Sequence, residues 1–172
     1  MKYLFPILLF SLLFACKTVQ NDTDKPLINI ADNQSWINAA DQIIFIYDDA
    51  SVPPDDHRSY TITVSPDQLF FEVDSYGDLI RKDSVSITEN KWTQIRQAFV
   101  DNQIHKIAEK ENPEGCTGGS GNQVYVLMGT KTLFSGNQYR CGGFNEGNLT
   151  GDLDGFEKVI RQDLPSSLFR LD

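Results

Sequence analysis

Between Ser59 and Val64 the chain places Tyr60, Ile62 and Val64 at every second position, with Ser59, Thr61 and Thr63 between them. Only an extended strand sends alternate side chains to opposite faces, so this period of two demands a sheet with one face packed and the other wet. Ser65-Pro66-Asp67-Gln68 has the chemistry of a turn, and Leu69 to Val73 returns as the hairpin partner. A lone hairpin is not stable in water, so the pattern also requires further strands and something to cover the apolar face.

The neighbouring sequence supplies both. Ile43, Ile44, Phe45, Ile46 and Tyr47 form a short β-branched and aromatic run, expected to be a strand buried on both faces. Asp48 to Asp56, with Pro53-Pro54, reads as a loop, and a turn at Tyr76-Gly77-Asp78 leads into a strand over residues 79–87. Gln123 to Met128 and Thr130 to Phe134 read as a second hairpin, and Asn137 to Cys141 as one more short strand. Cover comes from two helices. Thr88 can cap a segment over 89–101 in which Trp92, Ile95, Ala98 and Phe99 share one face. Leu153, Phe156, Ile160 and Leu164 repeat at helical spacing until Pro165 stops them. Ile104 and Ile107 continue the apolar contact in a form the periodicity does not decide. The fold class expected is α+β: an antiparallel sheet built from hairpins, with two helices packed on one face.

The amino-terminal segment belongs to a different category. Lys2 precedes an uncharged run, Tyr3 to Ala15, broken only by Pro6 and Ser11. That run suits the apolar core of an export signal and is shorter than the roughly 20 residues a spanning helix needs. Lys17, Thr18, Gln20, Asn21 and Asp22 follow at once and cannot extend it. The stretch Leu13-Phe14-Ala15-Cys16 resembles the lipobox of bacterial lipoproteins, in which an aliphatic and a small residue precede an invariant cysteine, although Phe14 departs from the residue usual at its place. The resemblance covers about 16 residues and implies cleavage before Cys16, acyl chains on that cysteine and attachment to a membrane; two or more chains hold stably where one does not. Lys17 stands where an Asp often signals retention at the inner membrane, so the resemblance points to the outer membrane of the cell envelope. The organisation expected is a signal over 1–15, lipidated Cys16 with a polar tether over 16–35, and one domain over 36–172. Within the tether Leu27-Ile28-Asn29-Ile30 is a patch able to dock locally.

Charge and cysteines follow from that organisation. Residues 1–15 hold one of the chain's 15 Lys and Arg and none of its 24 Asp and Glu, so their removal takes the formal charge from −9 to −10. Such a surface repels phosphate backbones and excludes nucleic acid as the expected partner, while it attracts a basic protein or a cation. Plain solubility is the simpler account of the same charge. With Cys16 assigned to lipid, Cys116 and Cys141 remain as an even pair in an exported domain, and a disulfide between them is expected.

Residues able to carry chemistry are few. Asp48, Asp49, Asp55 and Asp56 with His57 offer oxygen ligands for a hard cation, without the spacing of a calcium loop. His57 could serve as a general base for Ser59 only if oriented by a third group, and no serine-enzyme motif surrounds it. His105 reads as a surface or packed residue. Cys116-Thr117-Gly118-Gly119-Ser120-Gly121-Asn122 is rich in glycine, yet lacks a phosphate-loop lysine and runs towards a strand. Gly118 and Gly119, with Gly142 and Gly143, therefore read as turn glycines around a stapled loop that can display a binding surface. Phe70, Phe71, Tyr76, Tyr125, Tyr139 and Phe144 read as core before ligand face. No catalytic constellation, cofactor motif or metal site stands out. The reading reached is a non-enzymatic envelope lipoprotein whose acidic domain binds a partner, such as a basic envelope or extracellular protein. It is similar in kind to acidic, disulfide-bonded lipoproteins that inhibit basic hydrolases, without a shared motif. The alternatives are a cation- or small-ligand-binding module on the acidic loop 48–57, and a hydrolase using His57.

Overall fold

A computed structural model describes residues 32–164. The expected signal, Cys16 with its lipid, most of the tether with its Leu27 to Ile30 patch, and the stop at Pro165 lie outside the described residues. A 3-10 helix, Asp32–Ala39, comes first, so the last residues of the expected tether belong to the folded part. Strands β1 (Gln42–Asp48), β2 (Ser59–Val64), β3 (Gln68–Ser75) and β4 (Asp78–Ser86) lead into helix α1 (Glu89–Asp101). Strands β5 (His105–Lys110), β6 (Ser120–Met128), β7 (Lys131–Cys141) and β8 (Phe144–Thr150) then precede helix α2 (Leu153–Arg161). All eight strands join one antiparallel sheet in the order β4-β3-β2-β1-β6-β7-β8-β5.

Strand register makes the covered face legible as three rows running across the sheet. The first is Leu69, Val64, Ile43, Val126 and Phe134; the second is Phe71, Ile62, Phe45, Val124 and Gly136. Gly136 is small because a Cβ there would stand 2.9 Å from Leu149 Cδ1, which fills the space instead. The third row, Val73, Tyr60, Tyr47, Asn122 and Gln138, turns from apolar to polar. Both helices pack on this face. Thr88 Oγ1 caps α1 by accepting from Lys91 N–H, and Trp92, Ile95, Ala98 and Phe99 are buried together as their spacing predicts. Asp152 caps α2 by accepting from Gly155 N–H at 2.8 Å, and Leu153, Phe156 and Ile160 are buried. An edge-to-face cluster joins the layers: Phe156 meets Phe45 at 6.3 Å and Phe99 at 5.6 Å, and Phe99 meets Phe134 at 5.2 Å. Trp36 of the 3-10 helix stacks on Phe134 at 5.6 Å, which brings that helix under the same cover.

The structure is richer in strand than the sequence reading; it corrects that reading in two places and completes it in one that the periodicity left open. β1 is not buried on both faces: Ile43 and Phe45 are enclosed, whereas Ile44 and Ile46 are half-buried because the helices lie on the other side. The segment after α1 turns through Gln103 at φ +53°, buries Ile104 and continues as β5 at the far edge of the sheet. The expected short strand at 137–141 is the end of the single long β7, and polar β8 follows it.

Phe156 is the one α2 ring that touches both the sheet and α1 in this cluster. Phe156→Ala should cost about 3–5 kcal/mol of stability, read from the shift in urea unfolding midpoint.

Candidate functional site

Antiparallel pairing delivers four connections to one end of the sheet: residues 49–58, 76–77, 111–119 and 142–143. Every candidate binding residue from the sequence is therefore at that end, and the acidic loop and both glycine segments share it. The Cys116–Cys141 disulfide, with Cα atoms 6.1 Å apart, fastens the long 111–119 loop to the end of β7. Gly119 N–H donates to Tyr139 Oη at 2.8 Å, and a Cβ on Gly119 would collide with the Arg140 carbonyl oxygen, so only glycine passes there. Gly142 and Gly143, at φ +56° and +86°, make the two-residue turn from β7 to β8, which needs positive φ at both places. Gly118 is exposed in the stapled loop.

The acidic loop is held by its own side chains. Asp49 Oδ2 accepts from Arg58 N–H at 2.8 Å, and its Oδ1 accepts from Ala50 N–H at 2.8 Å and from Tyr47 Oη–H at 3.2 Å. Asp48 accepts from the Gln123 side-chain amide at 3.0 Å, while Asp55 and Asp56 are exposed at the tip. Among the described residues, no three His, Cys, Asp or Glu gather in a way that could hold a metal ion. The structure thus spends Asp48 and Asp49 on the loop itself and turns Asp55 and Asp56 to solvent.

His57 is 5% exposed and stacks on Tyr76 with ring centres 3.9 Å apart. Tyr76 N–H donates to His57 Nδ1 at 3.3 Å, so in the neutral ring the hydrogen sits on Nε2, which faces Ser59 Oγ at 3.4 Å. The imidazole then donates to the hydroxyl, opposite to the direction a general base requires. Ser59 Oγ also accepts from Asp49 N–H at 3.0 Å. The arrangement latches two connections together. Ser75 Oγ–H donates to the Pro54 carbonyl and Tyr76 Oη–H to the Val52 carbonyl, at 2.8 and 2.6 Å. Tyr76 sits at φ +52°, a backbone state that costs an aromatic residue energy and that these contacts hold in place.

Beside the latch, where the third row meets α2, lies a cleft of about 340 Å³. Tyr47 and Tyr60 stack at 4.9 Å on its floor, Val73 closes one side, Asp49 and Arg58 come from the loop, and Glu157 and Arg161 come from α2. Tyr60 Oη–H donates to Glu157 Oε1, which also takes Arg161 Nη1, and the Arg161 guanidinium lies 5.3 Å over the Tyr60 ring. Burial, then the Glu157 charge, pushes the Tyr60 phenol far above its ordinary range. Burial, then Asp49, raises Tyr47 as well. On the neighbouring flank Arg140 grips Asp154 through both Nη atoms at 2.8 and 3.1 Å, which holds the Asp154 carboxyl below its usual range.

Sequence reasoning found the loops and missed the cleft. Tyr47 and Tyr60 read as core because they continue apolar runs, and Glu157 and Arg161 flank the α2 stripe at a spacing common to exposed helix pairs. Only the β1–β2 register and the path of α2 over it bring the four together. No protein-family model matches the chain, and a search of curated proteins finds no match.

The raised phenol gives a pH dependence with a definite sign. An acid whose folded pKa exceeds its unfolded value stabilises fully below the unfolded pKa, so Tyr60's contribution should fade as pH rises past about 10. Thermal or urea unfolding from pH 8 to 11 should show a loss of up to about 1.4 kcal/mol per pH unit above 10 from this group. Tyr60→Phe should flatten that slope.

Proposed function

We propose that this chain is a lipid-anchored protein of the bacterial cell envelope, acylated on Cys16, whose acidic α+β domain offers the loop end of its sheet to a partner. The observation that carries the binding role is the gathering of four connections at that end, fastened by the Cys116–Cys141 disulfide and by the His57–Tyr76 latch. Loops held rigidly on a scaffold are where recognition groups concentrate, because a preordered loop loses little entropy on binding. The anchor is supported by Leu13-Phe14-Ala15-Cys16, and the disulfide suits an oxidising compartment. Among the described residues no helix is long and apolar enough to cross a membrane.

A binding role is favoured over hydrolysis by the direction of the His57–Ser59 contact. A basic envelope or extracellular protein is favoured as partner by the charge of −9, with Asp55 and Asp56 displayed at the loop tip. Lys17 after Cys16 favours the outer membrane.

Two measurements test this reading. Mass spectrometry of the amino terminus should find a processed, acylated Cys16, and Cys16→Ala should move the protein out of the membrane fraction; an unmodified terminus would refute the anchor. Immobilised protein should capture a basic partner from envelope extracts at low salt and release it near 0.5 M, where screening shortens charge attraction to a few ångströms. Capture of nothing, or of a partner indifferent to both salt and Asp55→Asn/Asp56→Asn, would refute the acidic-tip interaction.

A further inference from the structure

The cleft beside the latch is lined by an arginine that has no ion-pair partner among the described residues. Arg58 is half-buried; its backbone N–H donates to Asp49, and the one hydrogen bond of its side chain among the described residues runs from Nη1 to the His57 carbonyl, at 2.5 Å. No carboxylate of the described residues lies within ion-pair distance of it. The other half-buried arginines among the described residues are all paired: Arg96 with Glu89, Arg140 with Asp154, and Arg161 with Glu157. Partly buried charges are ordinarily matched by an opposite charge, because desolvation without compensation is costly.

The two carboxylates that share the cleft do not serve Arg58. Asp49 accepts from two backbone N–H groups and the Tyr47 hydroxyl, and Glu157 accepts from Tyr60 and Arg161. Both are held by internal donors, while Arg58 lines the same volume with guanidinium donors that no carboxylate of the described residues takes. A planar guanidinium matches two oxygens of a carboxylate or phosphate with parallel hydrogen bonds. The cleft, at about 340 Å³, falls at the small end of the range for small-molecule sites, about 300–1,000 Å³. The net charge of −9 works against loose accumulation of anions, so occupancy depends on this local geometry rather than on the field of the whole surface.

We propose that the cleft is an oxyanion site in which Arg58 binds the carboxylate or phosphate group of a small polar molecule, with Tyr47, Tyr60 and Arg161 forming its wall. The site is independent of the lipid anchor and of the acidic loop tip, and it stands or falls separately from them.

The test uses the purified full-length chain, titrated with inorganic phosphate and, separately, with acetate, at constant ionic strength balanced with sodium chloride. Arginine side-chain N–H resonances and the thermal midpoint are followed together. The expected result is a saturable shift of the Arg58 resonance and a rise in melting temperature with at least one of the two anions. Arg58→Gln should weaken binding by about tenfold or more, the worth of a charge-assisted hydrogen bond. Arg58→Lys, which keeps the charge and loses the fork, should fall between. A response to phosphate alone, or to acetate alone, supports the site and assigns its chemistry. The absence of a saturable shift with either anion overturns the proposal, as does equal binding by Arg58→Gln. Should Arg58→Gln fail to fold, the resonance titration of the unsubstituted protein decides by itself.

Discussion

The molecule depends on the pairing of β1 with β6. β1 carries hairpin partners β2 to β4 on one side, and β6 carries β7, β8 and β5 on the other, so this seam makes two four-stranded pieces into one sheet. Seven consecutive residue pairs, Gln42–Leu127 to Asp48–Gly121, form it. The seam brings together segments about half the chain apart, and such contacts are entropically expensive to close. What stabilises it is burial: Ile43 and Phe45 on one side and Val124 and Val126 on the other are shielded from water by α2 and α1.

Both the core and the candidate site are consequences of how the side chains change along that seam. Two rows of aliphatic and aromatic groups form the interior, and the third row replaces them with Tyr47, Tyr60, Asn122 and Gln138. A tyrosine there keeps apolar contact through its ring while its hydroxyl reaches the polar groups of α2. The cleft exists because α2 presents Phe156 and Ile160 to the apolar rows and Glu157 and Arg161 to the polar one. Helix and sheet thus change polarity in step, and the boundary between them opens toward the loops.

The strands and helices with strong periodicity were legible in the sequence. The alternation over 59–64 and the stripe of Trp92, Ile95 and Phe99 each have one physical explanation, and the structure has the corresponding β2 and α1. β8 was not legible: Phe144-Asn-Glu-Gly-Asn-Leu-Thr has too few apolar groups for a period to register, and its pairing with β7 comes from the tight Gly142-Gly143 turn. The two-sided burial read into Ile43 to Tyr47 failed because a β-branched run does not reveal how many of its faces will be covered. For the site, the cysteine pair and glycine loops could be read from local chemistry. The role of His57 could not, since it depends on Tyr76, 19 residues away, reaching back with a backbone N–H.

β4 is one of the two edge strands of the sheet, β5 being the other, and its exposure has a cost. All but one of its residues are exposed, with Leu79 and Ile80 at about half their full area, so an unpaired row of backbone donors and acceptors faces solvent. A bare edge of that length is a template on which another copy could stack and begin a fibre. The central Arg81-Lys82-Asp83 interrupts it: any incoming strand must desolvate three consecutive charges before it can hydrogen-bond. The guard against such stacking thus resides in three side chains at the rim, paired across one strand boundary with Phe71, Glu72 and Val73.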